Sequence, residues 1–130
     1  MKIIDCITYC GEDLLLKIRF ETLYNQIDKF IIIEANKYFD GNPKPKFFDH
    51  KKFYKYSNKI EYYFIEDLPK HNGNNLEYEI FIKNQIARGL NNLDDELNFA
   101  LNPKLLSILR ISPISSFLIK FNNSRVCGCE

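Results

Sequence analysis

Apolar positions in the first third of the chain change period twice. The stretch "KIIDCITYC" is rich in β-branched and aromatic residues and stops at Gly11, which predicts a strand over Lys2 to Tyr9. In "GEDLLLKIRFETLYNQID" the apolar residues Leu16, Phe20, Leu23 and Ile27 recur at helical spacing. Glu12 and Asp13 put negative charge in the first turn, where the helix dipole favours it. The next segment, "KFIIIEAN", is a short unbroken apolar run, the pattern of a strand covered on both faces. Strand, helix and strand within about 35 residues make a βαβ unit, so the two strands are expected to be parallel.

Turn-forming residues then dominate. "KYFDGNPKPKFF" contains Asp40-Gly41, Asn42-Pro43 and Lys44-Pro45 and reads as a loop with turns. A third strand is expected over Lys59 to Asp67, ended by Leu68-Pro69. After the turn-rich "KHNGNN", the stretch "LEYEIFIKNQIARGL" aligns Tyr78, Ile82, Ile86 and Leu90 on one face of a second helix, with Gly89 near its end. Beyond three consecutive acids, Asp94, Asp95 and Glu96, the pattern loosens. "NPKLLSILR" reads as the start of a short helix with Pro103 in its first turn, and "SSFLIKF" as an edge strand. There are no internal repeats. Alternating strands and helices predict an α/β fold, a sheet with helices packed on it.

A length of 130 residues supports one domain with a real core. Net charge is +1 with 27% charged residues of both signs interspersed, so no bulk field draws in nucleic acid or an anionic membrane. Hydrophobic residues at 45% and aromatics at 15% fit a packed soluble domain. Asp5 interrupts the N-terminal apolar run too early for a signal-peptide core or a membrane segment, so a cytoplasmic location is the expectation. Neither Cys6/Cys10 nor Cys127/Cys129 has the separation of a zinc ribbon. Reduced thiols are expected, with Cys6 and Cys10 packed as small hydrophobes.

In open parallel sheets, ligands bind where loops leave the carboxyl ends of the strands. Those positions hold Thr8, Tyr9, Gly11 and Glu12 after the first strand. After the second come Glu34, Asn36, Tyr38, Phe39, Gly41, Lys44 and Lys46, and after the third Glu66 and Asp67. An acid and an amide at a strand end bind hydroxyls and base edges, and lysines suit phosphate oxygens; together they resemble equipment for a sugar nucleotide. The competing reading makes Asn36 and Asp40 turn formers and the lysines a solvated loop. Glu79 and Lys83, one helical turn apart, are spaced for an ion pair. His50 and His71 lie in polar loops with no paired ligand or nucleophile, so no catalytic role is assigned to them. "YCGED" has one glycine where a dinucleotide fingerprint needs three, and there is no Gly-x-Ser-x-Gly.

The segments "DCITYCGEDLLLKIRFETLY", "DKFIIIEANKYFDGNPKP" and "YEIFIKNQIARGL" resemble, in order and spacing, the N-terminal half of glycosyltransferase family 17, which includes β-1,4-mannosyl-glycoprotein β-1,4-N-acetylglucosaminyltransferases. The likeness covers about residues 1–90. The family's opening Asp falls on Asp5, and its acidic helix start on Gly11-Glu12-Asp13, with glycine in place of asparagine. Its Glu-Ala-Asn is Glu34-Ala35-Asn36, and its later Phe, Gly and Lys are Phe39, Gly41 and Lys44. Its Glu-x-x-Gln-Arg helix falls on Glu79, with Ile82 in place of glutamine and Lys83 in place of arginine, followed by Gly89.

This resemblance implies an incomplete α/β, Rossmann-like domain of GT-A type, with a mostly parallel sheet flanked by helices, over residues 1–109, and a divergent segment over 110–130. It implies transfer of N-acetylglucosamine or a related sugar from a UDP-sugar donor to a glycan acceptor. Substrate contacts would come from Tyr9, Glu12, Glu34, Asn36, Phe39, Gly41, Lys44, Glu79 and Lys83, and no catalytic residue is assigned beyond Glu66 or Asp67 as a possible base. In an active form Mn²⁺ or Mg²⁺ would bridge the diphosphate at an Asp-x-Asp motif. Where that motif should follow, the chain reads "LNFALNPKLLSIL", as if a strand and its acids were deleted by truncation or a change of frame. Asp94, Asp95 and Glu96 are then either substitute metal ligands or the polar turn after a helix. A nucleotide-sugar-binding or interaction module without transfer chemistry, or an inactive fragment, is the alternative. The oligomeric state is not specified by the sequence.

Overall fold

The computed structural model describes residues 2–91, 116–122 and 125–129. Strand β1 (Lys2–Thr8), helix α1 (Asp13–Leu23) and strand β2 (Lys29–Ala35) form the expected βαβ unit, with β1 and β2 parallel and Cys6 opposite Ile31. A long loop and a short 3₁₀ helix, Tyr54–Lys59, lead to β3 (Ile60–Ile65), which pairs parallel to β2. Helices α2 (Asn75–Asn84) and α3 (Ile86–Leu90) follow. Strands β4 (Ser116–Asn122) and β5 (Arg125–Cys129) complete a sheet ordered β3-β2-β1-β4-β5, and both of their pairings are antiparallel. The fold is thus a Rossmann-like α/β domain whose parallel part is β1 to β3. The segment "SSFLIKF" does form a strand, but β4 lies between β1 and β5, and β5 takes the edge. Among the described residues no helix is long and apolar enough to cross a membrane.

The two-residue period of the strands divides the core between the two faces of the sheet. Ile7, Tyr9, Phe30 and Ile32 pack toward α1 against Leu16, Phe20, Phe48, Phe53 and Tyr56. Ile4, Cys6, Ile31, Ile33 and Ile65 face the other way and pack against Ile86 and Leu90 of α3. Ala35 meets Tyr78 and Ile82 of α2 on that same side. This double coverage explains the unbroken apolar run in β2, where Phe30 through Ile33 are all fully buried. Cys6 is buried as expected, whereas Cys10 is exposed at the end of β1 rather than packed in the core, because the chain turns outward there toward Gly11.

The predicted second helix is two helices. Tyr78, Ile82, Ile86 and Leu90 are all buried, as their spacing requires, but the helix breaks at Gln85 (φ −66°, ψ −10°), where the Gln85 N–H donates to Ile82 O at 3.0 Å. The break seats α3 tightly on the sheet. A Cβ at Gly89 would lie 2.4 Å from Cγ2 of Ile31, so only glycine permits this approach. The expected helix start at "NPKLLSILR", the proposed strand deletion and the acids Asp94, Asp95 and Glu96 lie outside the described residues.

Candidate functional site

Where β1 and β2 end, the loops after them and helix α2 enclose a cleft of about 290 Å³. Its floor is Thr8, Tyr9, Cys10 and Ala35, and its walls carry Glu12, Lys37, Tyr38, Phe39, Lys44, Glu79, Ile82 and Lys83. Placement at the carboxyl ends of parallel strands is what the α/β rule anticipates for a ligand site. A larger hollow of about 360 Å³ lies along α1, but its lining is mainly aliphatic, and its one guanidinium, on Arg19, is bound to Asp5 at 2.5 and 2.6 Å. Convergent polar chemistry therefore belongs to the first cleft.

Glu34 organises the wall of the cleft from beneath. It is fully buried at the penultimate position of β2, and its carboxylate accepts from Lys44 Nζ (2.6 Å), the Phe47 N–H (2.6 Å), the Phe48 N–H (3.1 Å) and the Tyr62 hydroxyl (2.7 Å). Burial alone would raise its pKa. The Lys44 ammonium, the Tyr62 hydroxyl and the two backbone donors outweigh that effect and hold the carboxyl below its ordinary value. Burial, and then its hydrogen bond to Glu34, push the Tyr62 phenol upward. Glu34 thus pins a loop that returns ten or more residues later in the chain, and Lys44 Nζ also donates to Pro45 O at 2.9 Å.

The remaining walls are similarly braced. The Tyr9 hydroxyl donates to Asp13, whose other oxygen accepts from Lys52 Nζ at 2.7 Å. Glu12 accepts the Cys10 N–H at 2.8 Å. Glu79 and Lys83 form the ion pair their spacing predicts, at 2.6 Å, and both line the cleft. With Lys44 held by Glu34 and Lys83 by Glu79, Lys37 is the cleft cation whose ammonium has no hydrogen-bond or ion-pair partner among the described residues. Thr8 is 6% exposed, and its hydroxyl has no partner there either.

Of the residues singled out from the sequence, Thr8, Tyr9, Glu12, Tyr38, Phe39, Lys44, Glu79 and Lys83 come together in this lining. Glu34 lies behind it. Asn36 is tied to β3 by its N–H to Ile65 O (3.0 Å), and its side-chain oxygen is buried without a partner. Gly41 sits at φ +85° in the turn behind Phe39, where a Cβ would lie 2.6 Å from His71 Cβ. Glu66 and Asp67 follow β3 and are not among the lining residues; Asp67 is engaged by Arg88 at 2.8 Å. The sequence does not single out Lys37, because a loop lysine carries no distinguishing pattern. Its one clue was position, two residues past the end of β2. His71 braces the turn that carries Phe39: its Nδ1 accepts the Gly73 N–H at 3.0 Å, which leaves Nε2–H to donate to Phe39 O at 3.1 Å.

Among the described residues no three His, Cys, Asp or Glu side chains converge to hold a metal ion, and Asp94 and Asp95 lie outside them. Compared with known proteins, residues 1–97 match the family model of glycosyltransferase family 17. No curated protein and no solved structure matches the chain.

Proposed function

Because the chain belongs to glycosyltransferase family 17, we propose that the cleft at the ends of β1 and β2 binds a UDP-sugar, from which N-acetylglucosamine or a related sugar is transferred to a glycan acceptor. The observation that carries this reading is the convergence of Tyr9, Glu12, Lys37, Phe39, Lys44, Glu79 and Lys83 around one cleft at the carboxyl ends of parallel strands. Lys37 is the group for a diphosphate oxygen, since the other lining lysines already face carboxylates. In transfer, an acceptor hydroxyl forms the new bond to the sugar, UDP leaves with the electron pair of the old one, and a base takes the hydroxyl proton. Glu12 is the lining carboxylate not paired with a lysine, which suits it to that task better than Glu66 or Asp67.

Mn²⁺ or Mg²⁺ would offset diphosphate charge in an active form, with Asp94 or Asp95 as its ligands. The second reading is a binding module without transfer chemistry. It is favoured by the internal neutralisation of Lys44 and Lys83, which leaves the cleft little net positive charge. Calorimetric titration of UDP and UDP-N-acetylglucosamine, with and without Mn²⁺, alongside a UDP-release assay with a mannose-terminated acceptor, separates them. Metal-dependent binding with acceptor-dependent UDP release supports the transferase. Metal-independent binding without release supports the module, and absence of binding overturns both.

A further inference from the structure

The loop after β2 presents two adjacent aromatic side chains partly to solvent in the cleft lining. Tyr38 and Phe39 are each 38% exposed, adjacent in sequence, and both line the cleft. Leaving large rings in water forfeits the stabilisation that burial would bring. The loop beneath them is tightly built. Lys37 and Pro43 form a β-bridge, the Tyr38 N–H donates to Asn42 O (2.9 Å), and the Gly41 N–H donates to Tyr38 O (2.9 Å). Asp40 accepts from both the backbone N–H and the side-chain amide of Asn42, at 2.9 and 2.7 Å. His71 fixes the Phe39 carbonyl from the far side. The rings are therefore carried on a preorganised rim, not on a loose tip.

The charges around this rim indicate what it fits. Lys83 is balanced by Glu79 and Lys44 by Glu34, and Lys37 faces the cleft together with Glu12. An uncharged ligand with one apolar face and a hydroxylated edge matches both features. Its C–H face would stack on an aromatic ring, and its hydroxyls would reach carboxylate and ammonium groups. A lipid surface or an apolar peptide would instead desolvate the Lys37 ammonium and the Glu12 carboxylate, which have no counter-charge among the described residues. We infer that Tyr38 and Phe39, in the wall of the cleft that takes the donor, form a stacking platform for a sugar ring of the uncharged glycan acceptor. This rests on the donor-site reading given above.

The test is a titration of mannotriose and chitotriose, without nucleotide, followed by backbone amide NMR of the wild type and of the Tyr38→Ala, Phe39→Ala and Tyr54→Ala variants. UDP is titrated separately into the same proteins. Tyr54 is 79% exposed and lies outside the cleft lining, so it controls for nonspecific stacking. The expected result is oligosaccharide binding weakened about tenfold by either rim substitution. Tyr54→Ala should leave that binding unchanged, and in Tyr38→Ala and Phe39→Ala the loss of oligosaccharide affinity should exceed any loss of UDP affinity. If UDP binds but neither oligosaccharide does, the platform is refuted while the donor site stands. Loss of UDP affinity in the rim variants with oligosaccharide binding intact also refutes it and makes the rim a nucleobase contact. If neither class of ligand binds, both readings fall.

Discussion

The Lys44 ammonium lies 2.6 Å from the Glu34 carboxylate, and the two side chains are 1% and 0% exposed. Such a pair is weak evidence for stability as a whole, but removing one partner strands the other in a low-dielectric site. Glu34→Gln is expected to destabilise the fold by about 3–5 kcal/mol, since it leaves Lys44 charged and buried. The double variant Glu34→Gln, Lys44→Met should recover part of that loss. Urea denaturation midpoints check this, and equal stability of the single variant and the wild type would refute the role assigned to the pair.

Acid sensitivity follows from the direction of the carboxylate shifts. Lys44, Tyr62 and backbone donors hold Glu34 low against burial, and Asp13 is lowered by Lys52 and then by Tyr9. A carboxyl with a depressed folded pKa contributes stability that is present above its unfolded value, about 4, and is lost as pH falls through its folded value. The urea midpoint should therefore be flat near neutrality and fall once pH drops below about 4. In Glu34→Gln the fall should be shallower, because one of the linked protons is gone.

Gly89→Ala tests the seating of α3. In an ordinary helix interior the change would stabilise by roughly 0.5–1 kcal/mol. Here the new methyl would meet Ile31 Cγ2 at 2.4 Å and Tyr63 Cε2 at 3.2 Å, so the sign should reverse, to a loss of about 1–3 kcal/mol. Thermal unfolding measures it directly, and a raised Tm would contradict the close approach.

The parts of the fold legible in the sequence are those where local pattern and long-range packing agree. β1, α1 and β2 carried the right periods because β-branched residues alternate across a sheet covered on both faces. The break at Gln85 was not legible, since Ile86 and Leu90 stay in phase with Tyr78 and Ile82 across it. Nor was the antiparallel pairing of β4 with β1, which joins residues more than a hundred positions apart and leaves no local signature. The cleft was largely readable because strand ends predict ligand positions. The inward role of Glu34 was not: it depends on donors from Lys44, Phe47 and Phe48, whose return to β2 only the folded loop reveals.

The most direct test of the donor cleft is a calorimetric titration of UDP-N-acetylglucosamine into the wild type and Lys37→Ala, with Mn²⁺ present. Lys37 has no partner among the described residues whose loss would disturb the fold, so stability should be unchanged. A charge-assisted phosphate contact predicts saturable binding by the wild type that weakens about tenfold or more in the variant. Equal affinity of the two proteins, or no binding by the wild type, would contradict the account.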